Sequence, residues 1–230
     1  MSEAMTVETI VEADWQMRGF WTKLRFPLRT KKGGWSDIDI LAYNPETRVL
    51  VIAESKVRGP KKAVYAYTKE SQKRYGSILK YDLHGGNYLY LSFLRHIKLA
   101  CRDGTIFDDF DKMVDTLIVQ LVSNYAISDD VKPGAEAAVL KLVRKDVPSN
   151  VKLKIQLEST LDLISRIITS ENENRQGRRY GHPVIDIARE LNRYMRPKIQ
   201  YAGRGKASVD PIKKRFEQKL SKALGMLHET

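Results

Sequence analysis

The sequence predicts an α/β protein in which a mixed β-sheet is flanked by helices. Segments with the period-two alternation of strands lie between segments with the 3.6-residue periodicity of amphipathic helices, and no internal repeat is apparent. At 230 residues the chain can bury a substantial core in one domain and still carry a helical extension. We expect a core over residues 1–170 and a basic helical region over residues 171–230, packed on that core.

The first predicted element of the chain is a helix. Apolar residues between Val7 and Met17 form one stripe of a helix predicted over residues 6–18. Glu8 lies at the edge of that stripe, whereas Glu12 lies farther toward solvent. Glu8 is therefore the better candidate for a functional site, and an ordinary solvent-facing acid is the alternative interpretation.

Two alternating segments, residues 35–43 and 48–56, form a predicted antiparallel hairpin. The residues between them, Asn44–Thr47, favour a turn, because Pro45 has a fixed φ and no amide hydrogen for a strand ladder. Alternation places Asp37 and Asp39 on one face of the first strand.

Glu54 and Lys56 share a face at the end of the second strand, and the hairpin register decides which aspartate meets them. A four-residue loop would set Asp37 opposite Glu54. A six-residue loop would set Asp39 opposite Glu54 and Asp37 opposite Lys56. The sequence alone leaves both registers open.

Two carboxylates beside a lysine are suited to a hard cation acting on a phosphate. Mg²⁺ takes one or two carboxylates, keeps several waters, and can activate a water as nucleophile. Lysine adds a compact positive charge that stabilises the transition state. The alternative is a surface ion pair between Glu54 and Lys56, which would contribute little. Their position at the end of an otherwise apolar strand favours the site, because burying charge is costly.

In these features the chain resembles the PD-(D/E)XK nuclease superfamily, and in particular its small endonucleases of the Holliday-junction-resolvase and restriction-enzyme type. That family has an N-terminal helix with a Glu, a strand, a second strand bearing an Asp, and a third strand ending in Glu-x-Lys. The matching residues are Glu8, Asp39, Glu54 and Lys56, within roughly the first third of the chain. The sequence departs from the family in having no Pro before either aspartate. Asp39 matches better than Asp37 because an apolar stretch follows it directly.

The resemblance implies a restriction-endonuclease-like fold and a divalent-metal-dependent endonuclease that hydrolyses DNA. Asp39 and Glu54 would hold Mg²⁺, with Mn²⁺ able to substitute, and Asp37 is the alternative ligand. Lys56 would position water or stabilise the developing charge, and Glu8 would assist a metal or a ligand. Two alternatives stay open: a nucleic-acid-binding module of the same fold without turnover, and an RNA-processing nuclease.

The rest of the sequence alternates between further helices and strands. Residues 61–82 read as a helix that follows the Glu-x-Lys segment, with Gln72 or Lys73 as possible assisting residues. Buried-type strands are predicted near 115–126 and 151–157. The other predicted helices span residues 87–101, 133–145, 159–170 and 183–195, and a last helix opens at Asp210-Pro211.

Positive charge is concentrated toward the C-terminus. The formal net charge is +12, and residues 175–222 contain 14 Lys and Arg against four acids, which gives this region +10. A basic concentration of this kind favours nucleic acid as the partner, with a solvated basic face as the alternative. Arginines on the helix over 183–195 and basic residues in two Gly-rich loops could contact phosphates. The candidate DNA-binding residues are Arg178, Arg179, Arg189, Arg193, Arg196, Arg204 and Lys206.

Several classes of protein are not favoured by the sequence. No apolar run approaches the roughly 20 residues of a membrane-spanning helix, and the acidic start does not resemble a signal peptide, so we expect a cytoplasmic protein without membrane contact. The single Cys101 leaves no internal disulfide, and the four histidines, including His96, are expected to be structural or solvated. The apolar stripe of the last helix is expected in the core or in a subunit contact, which is compatible with a homodimer.

Overall fold

A computed structural model describes residues 3–29, 33–57, 66–76, 89–102, 105–108, 110, 113–124, 126–173, 180–195 and 210–223. The chain divides into two compact units, Met1–Ser165 and Arg166–Thr230. The sequence-based boundary, between residues 170 and 171, lies a few residues farther along the chain.

The first unit contains the β-strands and most of the described helices. Its strands are β1 (Trp21–Arg29), β2 (Trp35–Asn44), β3 (Val49–Lys56), β4 (Ala66–Tyr67), β5 (Thr116–Ser123), β6 (Ala126–Ile127) and β7 (Lys152–Ser159). Its helices are α1 (Glu3–Met17), α2 (Lys69–Tyr75), α3 (Leu89–Arg102), α4 (Thr105–Asp108) and α5 (Lys132–Val143), which a 3-10 turn at Arg144–Asp146 extends. Helix α6 (Thr160–Glu173) begins in the first unit and ends in the second.

Five strands form one mixed sheet in the order β1-β2-β3-β5-β7. Strand β2 is antiparallel to both β1 and β3, whereas β3, β5 and β7 run parallel. The parallel strands β3 and β5 are almost entirely buried, as expected for strands covered on both faces. The predicted α/β class, a mixed sheet flanked by helices, is confirmed. Strands β4 and β6 form a separate two-stranded parallel sheet.

Helices cover both faces of the main sheet. Leu50 and Ile52 of β3 belong to a core cluster that also contains Leu94 and Ile97 of α3 and Val139 of α5. Val51 and Ala53 of β3 point to the opposite face of the sheet, where β3 packs against the buried face of α1. Cys101 of α3 is buried in the first of these layers, and burial raises the pKa of its thiol to about 12. A buried thiol with a raised pKa stays protonated and is therefore unreactive.

A buried polar chain ties α1 to the middle of the sheet. The Trp15 indole N–H donates to Gln120 Oε1 over 2.7 Å, and Gln120 Nε2 donates to Glu158 Oε2 over 2.6 Å. Gln120 is fully buried and Glu158 nearly so, so each bond satisfies groups that water cannot reach. Trp15 lies two helical turns after Glu8, so this anchor also fixes which face of α1 presents Glu8 to the sheet.

The prediction of a continuous helix over residues 61–82 is wrong for residues 66–76, the part of that range that the structure describes. Ala66–Tyr67 instead pairs with Ala126–Ile127 as a strand, and only Lys69–Tyr75 is helical. Thr68 begins this helix as an extended N-cap, and Gly76 ends it in the left-handed region at φ 75°. Gln72 and Lys73 are exposed on it.

The described part of the second unit is helical. It contains the end of α6, then α7 (Pro183–Met195) and α8 (Asp210–Ala223). The rings of Tyr194 on α7 and Phe216 on α8 stack with centroids 5.7 Å apart. Within the described residues, no helix has both the length and the apolar character that crossing a bilayer would require.

Candidate active site

The register of the β2–β3 hairpin aligns Asp39 with Glu54. Asn44 pairs with Val49 and Ile40 with Ala53, so one further step sets Asp39 opposite Glu54. The sequence analysis associated this alignment with a six-residue loop over residues 44–49. In the structure Asn44 and Val49 also pair, so the ladder is one pair longer and the turn spans only residues 45–48. The Asn44 side chain stabilises this turn by accepting a hydrogen bond from the Thr47 amide over 3.0 Å.

Glu54 is a completely buried carboxylate with one oxygen unused. Its relative exposure is 0%, and His96 Nδ1 on α3 lies 3.3 Å from its Oε2. Its Oε1 is also buried and receives no hydrogen bond from any described residue. A buried carboxylate oxygen without a partner is costly, so this atom is suited to a ligand that the chain itself does not supply.

The environment of Glu54 favours its protonated form when no cation is present. Burial raises its pKa from 4.5 to about 7, and the negative charge of Asp39 acts in the same direction. The hydrogen bond from His96 and the positive charge of Lys56 oppose this rise without cancelling it. A cation bound at Glu54 would supply the missing compensating charge.

Asp39 is held in place by the strand that carries Glu54. The Ser55 amide and hydroxyl both donate to Asp39 Oδ2, over 2.7 and 3.1 Å. Oδ1 receives no hydrogen bond within the described residues, so one Asp39 oxygen is oriented while the other is open to a ligand. Lys56, the last residue of β3, is half-buried and close enough to lower the pKa of Glu54.

Glu8 and Asp37 lie beside this pair with an arginine between them. Glu8 is only 5% exposed, and Arg25 Nη2 of β1 lies 3.0 Å from its Oε1. Arg25 Nη1 lies 4.0 Å from Asp37 Oδ2. Burial raises the pKa of Glu8, and the charge of Asp39 adds to the rise, which places Glu8 near the Asp39 carboxylate. Glu8 thus faces the site, whereas Asp37 is about half exposed.

The residues at this site fit a magnesium-type cation. Among the described residues no group of three or more Asp, Glu, His or Cys side chains is arranged as a preformed metal cage. Mg²⁺ does not require one, because it binds through one or two carboxylates and keeps water in its other positions. The open oxygens of Glu54 and Asp39 meet that requirement.

His96 and Arg25 are site residues that the sequence interpretation missed. His96 contacts Glu54 directly and is only 27% exposed, so of the two expected roles, structural or solvated, the solvated one does not apply to it. Helical spacing from the buried Ala100 could have placed His96 on the inner stripe of α3. Nothing in the sequence shows that this stripe meets the end of β3. No local signal marks Arg25 either.

Two of the predicted DNA-binding arginines lie among described residues, and both are paired with acids. Arg189 is 20% exposed, its Nε donates to Glu171 over 2.6 Å, and Nη1 lies 3.3 Å from Asp186. Arg193 is 66% exposed and pairs with Glu190. Arg189 therefore holds α6 and α7 together and is mostly covered. The other candidates, Arg178, Arg179, Arg196, Arg204 and Lys206, lie outside the described residues.

Comparisons with known proteins give the chain no family. No protein-family model matches the sequence, and no curated protein matches it. Among solved structures, the chain has a weak likeness to a crystal structure of a protein of unknown function, AF1548, at 12% identity and a TM-score of 0.32. That match covers 80% of this chain and 95% of the other. At this TM-score the likeness carries no argument about function.

We expect the metal-free protein to lose stability as the pH rises from about 4.5 to about 7, because the buried Glu54 loses its proton in this range. The folded chain keeps the Glu54 proton to higher pH than the unfolded chain, so folding binds a proton in this window and the free energy of unfolding falls. The full shift corresponds to a cost on the order of 3 kcal/mol. His96 acts in the same direction. Its hydrogen bond to Glu54 raises its pKa above the ordinary value of 6.5, so its contribution to the free energy of unfolding is complete below pH 6.5 and is lost as the pH rises through its folded-state pKa.

The measurement is urea unfolding in EDTA between pH 5 and pH 8, for the wild type and for Glu54→Gln. The difference between the two proteins separates the contribution of Glu54 and its partner His96 from that of the other carboxylates. An equal pH dependence in both would contradict the buried, proton-binding state of Glu54.

Proposed function

We propose that this protein is a divalent-metal-dependent endonuclease that hydrolyses DNA phosphodiester bonds. The observation that carries the proposal is the Glu54 carboxylate. It is fully buried, its Oε1 has no hydrogen-bond partner among the described residues, and it is aligned with Asp39 near the end of a strand whose last residue is Lys56. The motif resemblance to the PD-(D/E)XK nucleases agrees with this arrangement. A purely structural role would not require a buried carboxylate oxygen without a partner.

Each residue has a separate task in this proposal. Asp39 and Glu54 hold the cation, and Ser55 orients Asp39 through its amide and hydroxyl. His96 fixes the Glu54 Oε2 so that Oε1 points to the ligand. Lys56 stabilises the charge that accumulates on the phosphate, or orients the attacking water. Bound Mg²⁺ would supply an activated water and polarise the scissile phosphate.

DNA would be held by the basic second unit, and the enzyme would act in the cytoplasm, as a monomer or a homodimer. Arg215 and Lys219 of α8 support this role better than Arg189. Both are exposed, lie one helical turn apart, and make no ion pair or hydrogen bond with the described part of the chain. When exposed lysines and arginines of this kind neutralise DNA phosphates, counterions leave the DNA and binding becomes stronger.

We expect the double variant Arg215→Gln/Lys219→Gln to weaken DNA binding and to flatten its salt dependence. Each lost phosphate contact should reduce the slope of log affinity against log salt by up to about 0.9 on duplex DNA. The control is Arg189→Gln, which removes one positive charge from a guanidinium already held by Glu171 and should leave the slope unchanged. Fluorescence anisotropy at several salt concentrations measures both. Equal slopes in the wild type and the double variant would place the DNA path elsewhere.

The proposal is tested with purified protein, Mg²⁺, and a panel of duplex, branched and single-stranded DNA and of RNA. Cleavage of any DNA substrate should require the metal, stop in EDTA, and be nearly absent with Ca²⁺, whose longer bonds and looser coordination allow binding with little turnover. Glu54→Gln from the same purification excludes a contaminating nuclease. Cleavage of RNA alone would identify an RNA-processing enzyme, and binding without cleavage of any substrate would identify a binding module.

A further inference from the structure

A charged side chain of the protein already occupies the second pair of acids beside the proposed metal ligands. The Arg25 guanidinium lies 3.0 Å from Glu8 Oε1 and 4.0 Å from Asp37 Oδ2. Glu8 is almost fully buried on α1, while Arg25 is 54% exposed on the edge strand β1. One guanidinium therefore spans a buried carboxylate and a half-exposed one.

The backbone of Arg25 has an unusual conformation at this position. Its φ is 51°, in the left-handed region that a non-glycine residue seldom occupies. In the β1–β2 ladder Leu24 pairs with Ile40 and Phe26 with Ile38, so Arg25 is the residue opposite Asp39, and the pairing is interrupted there. A strained conformation persists only where its surroundings enforce it, and such positions concentrate at functional sites.

We propose that Arg25 takes the place of a second divalent cation, so that the site holds one metal ion, at Asp39 and Glu54. This inference rests on the proposed metal-dependent function. Glu8 and Asp37 add negative charge near Asp39, and Arg25 supplies the positive charge that compensates it. Among the described residues the three acids are not arranged as a metal site while the guanidinium is in place. An arginine keeps its charge at every accessible pH, so it occupies these acids permanently and repels a second dication.

The same geometry gives Glu8 a different task from the one expected of the helix glutamate. Glu8 holds the guanidinium rather than the metal, and it acts on the reaction through Arg25. Arg25 is half exposed, so the N–H groups that do not contact Glu8 are accessible to a substrate phosphate, which a planar guanidinium binds well.

The test is the stoichiometry of Mn²⁺, counted by electron paramagnetic resonance and by calorimetry in the absence of DNA. The wild type should bind one ion per chain. Arg25→Gln should bind two, the second more weakly, and Arg25→Lys should still bind one. Arg25→Gly serves as a second neutral variant, because glycine adopts this φ without strain and so protects against a folding failure. Adding Glu8→Gln to Arg25→Gln should restore one ion.

The outcomes separate this inference from the proposed function. A wild type that binds two ions overturns the inference and leaves the metal site intact. Neutral Arg25 variants that fold and still bind one ion also overturn it. A wild type that binds no Mn²⁺, with the same result in Glu54→Gln, overturns the proposed metal centre itself.

Discussion

Asp39→Asn and Glu54→Gln should each abolish Mg²⁺-dependent DNA cleavage while leaving the protein folded. Each change removes one of the two open carboxylate oxygens that are suited to the cation. A bound metal contributes several kcal/mol to the transition state, so losing it should cost at least about three orders of magnitude in rate. Single-turnover cleavage at saturating DNA measures this loss.

The two variants should differ in stability, which distinguishes loss of chemistry from loss of fold. Glu54→Gln removes a carboxyl whose pKa burial raises to about 7, so this variant should be more stable than the wild type above pH 7 when metal is absent. Asp39→Asn keeps an oxygen that can accept the two Ser55 hydrogen bonds, so it should change the free energy of unfolding little.

Asp37→Asn is the matched control for the choice of aspartate. Asp37 is aligned with Pro27 and approaches Arg25, and its side chain is 45% exposed, so its loss should reduce cleavage far less than the loss of Asp39. An inactive Asp37→Asn together with an active Asp39→Asn would show that the site assignment is wrong.

Lys56→Ala should lower the cleavage rate by about 10²- to 10³-fold while leaving metal affinity nearly unchanged. Removing one group that stabilises developing charge in a catalytic site typically has an effect of this size. An ammonium cannot ligate a cation, so Lys56 contributes to the reaction rather than to metal binding. Single-turnover rates and Mn²⁺ calorimetry on the same preparation measure the two effects separately.

Lys56→Arg is the informative companion variant, because it keeps the charge and changes its shape and reach. It should recover part of the rate. A Lys56→Ala variant that loses Mn²⁺ binding but cleaves normally at high metal concentration would contradict the assigned role.

The sequence was sufficient to predict the order of the main strands and helices, and it singled out Glu54 together with an aspartate of β2 as candidate site residues. Alternation in residues 35–43 and 48–56 predicted β2 and β3, because successive side chains of a strand point to opposite faces of the sheet. The helix prediction failed at residues 66–67, where pairing with Ala126–Ile127, far along the chain, overrides local preference. Glu54, Lys56 and both aspartates were identified because charge at the end of an apolar strand is locally conspicuous.

Only the tertiary structure decided how these residues meet. The register that aligns Asp39 with Glu54 requires the four-residue turn to lie at residues 45–48 rather than at 44–47, a one-residue shift too small for turn composition to resolve. His96 reaches Glu54 because α3 packs across the end of β3, a contact between residues 42 positions apart. Arg25 owes its position to a single left-handed φ opposite Asp39, which no residue type at that position signals. Sequence periodicity reports which face a side chain occupies, whereas the partner it meets is fixed by packing between distant segments.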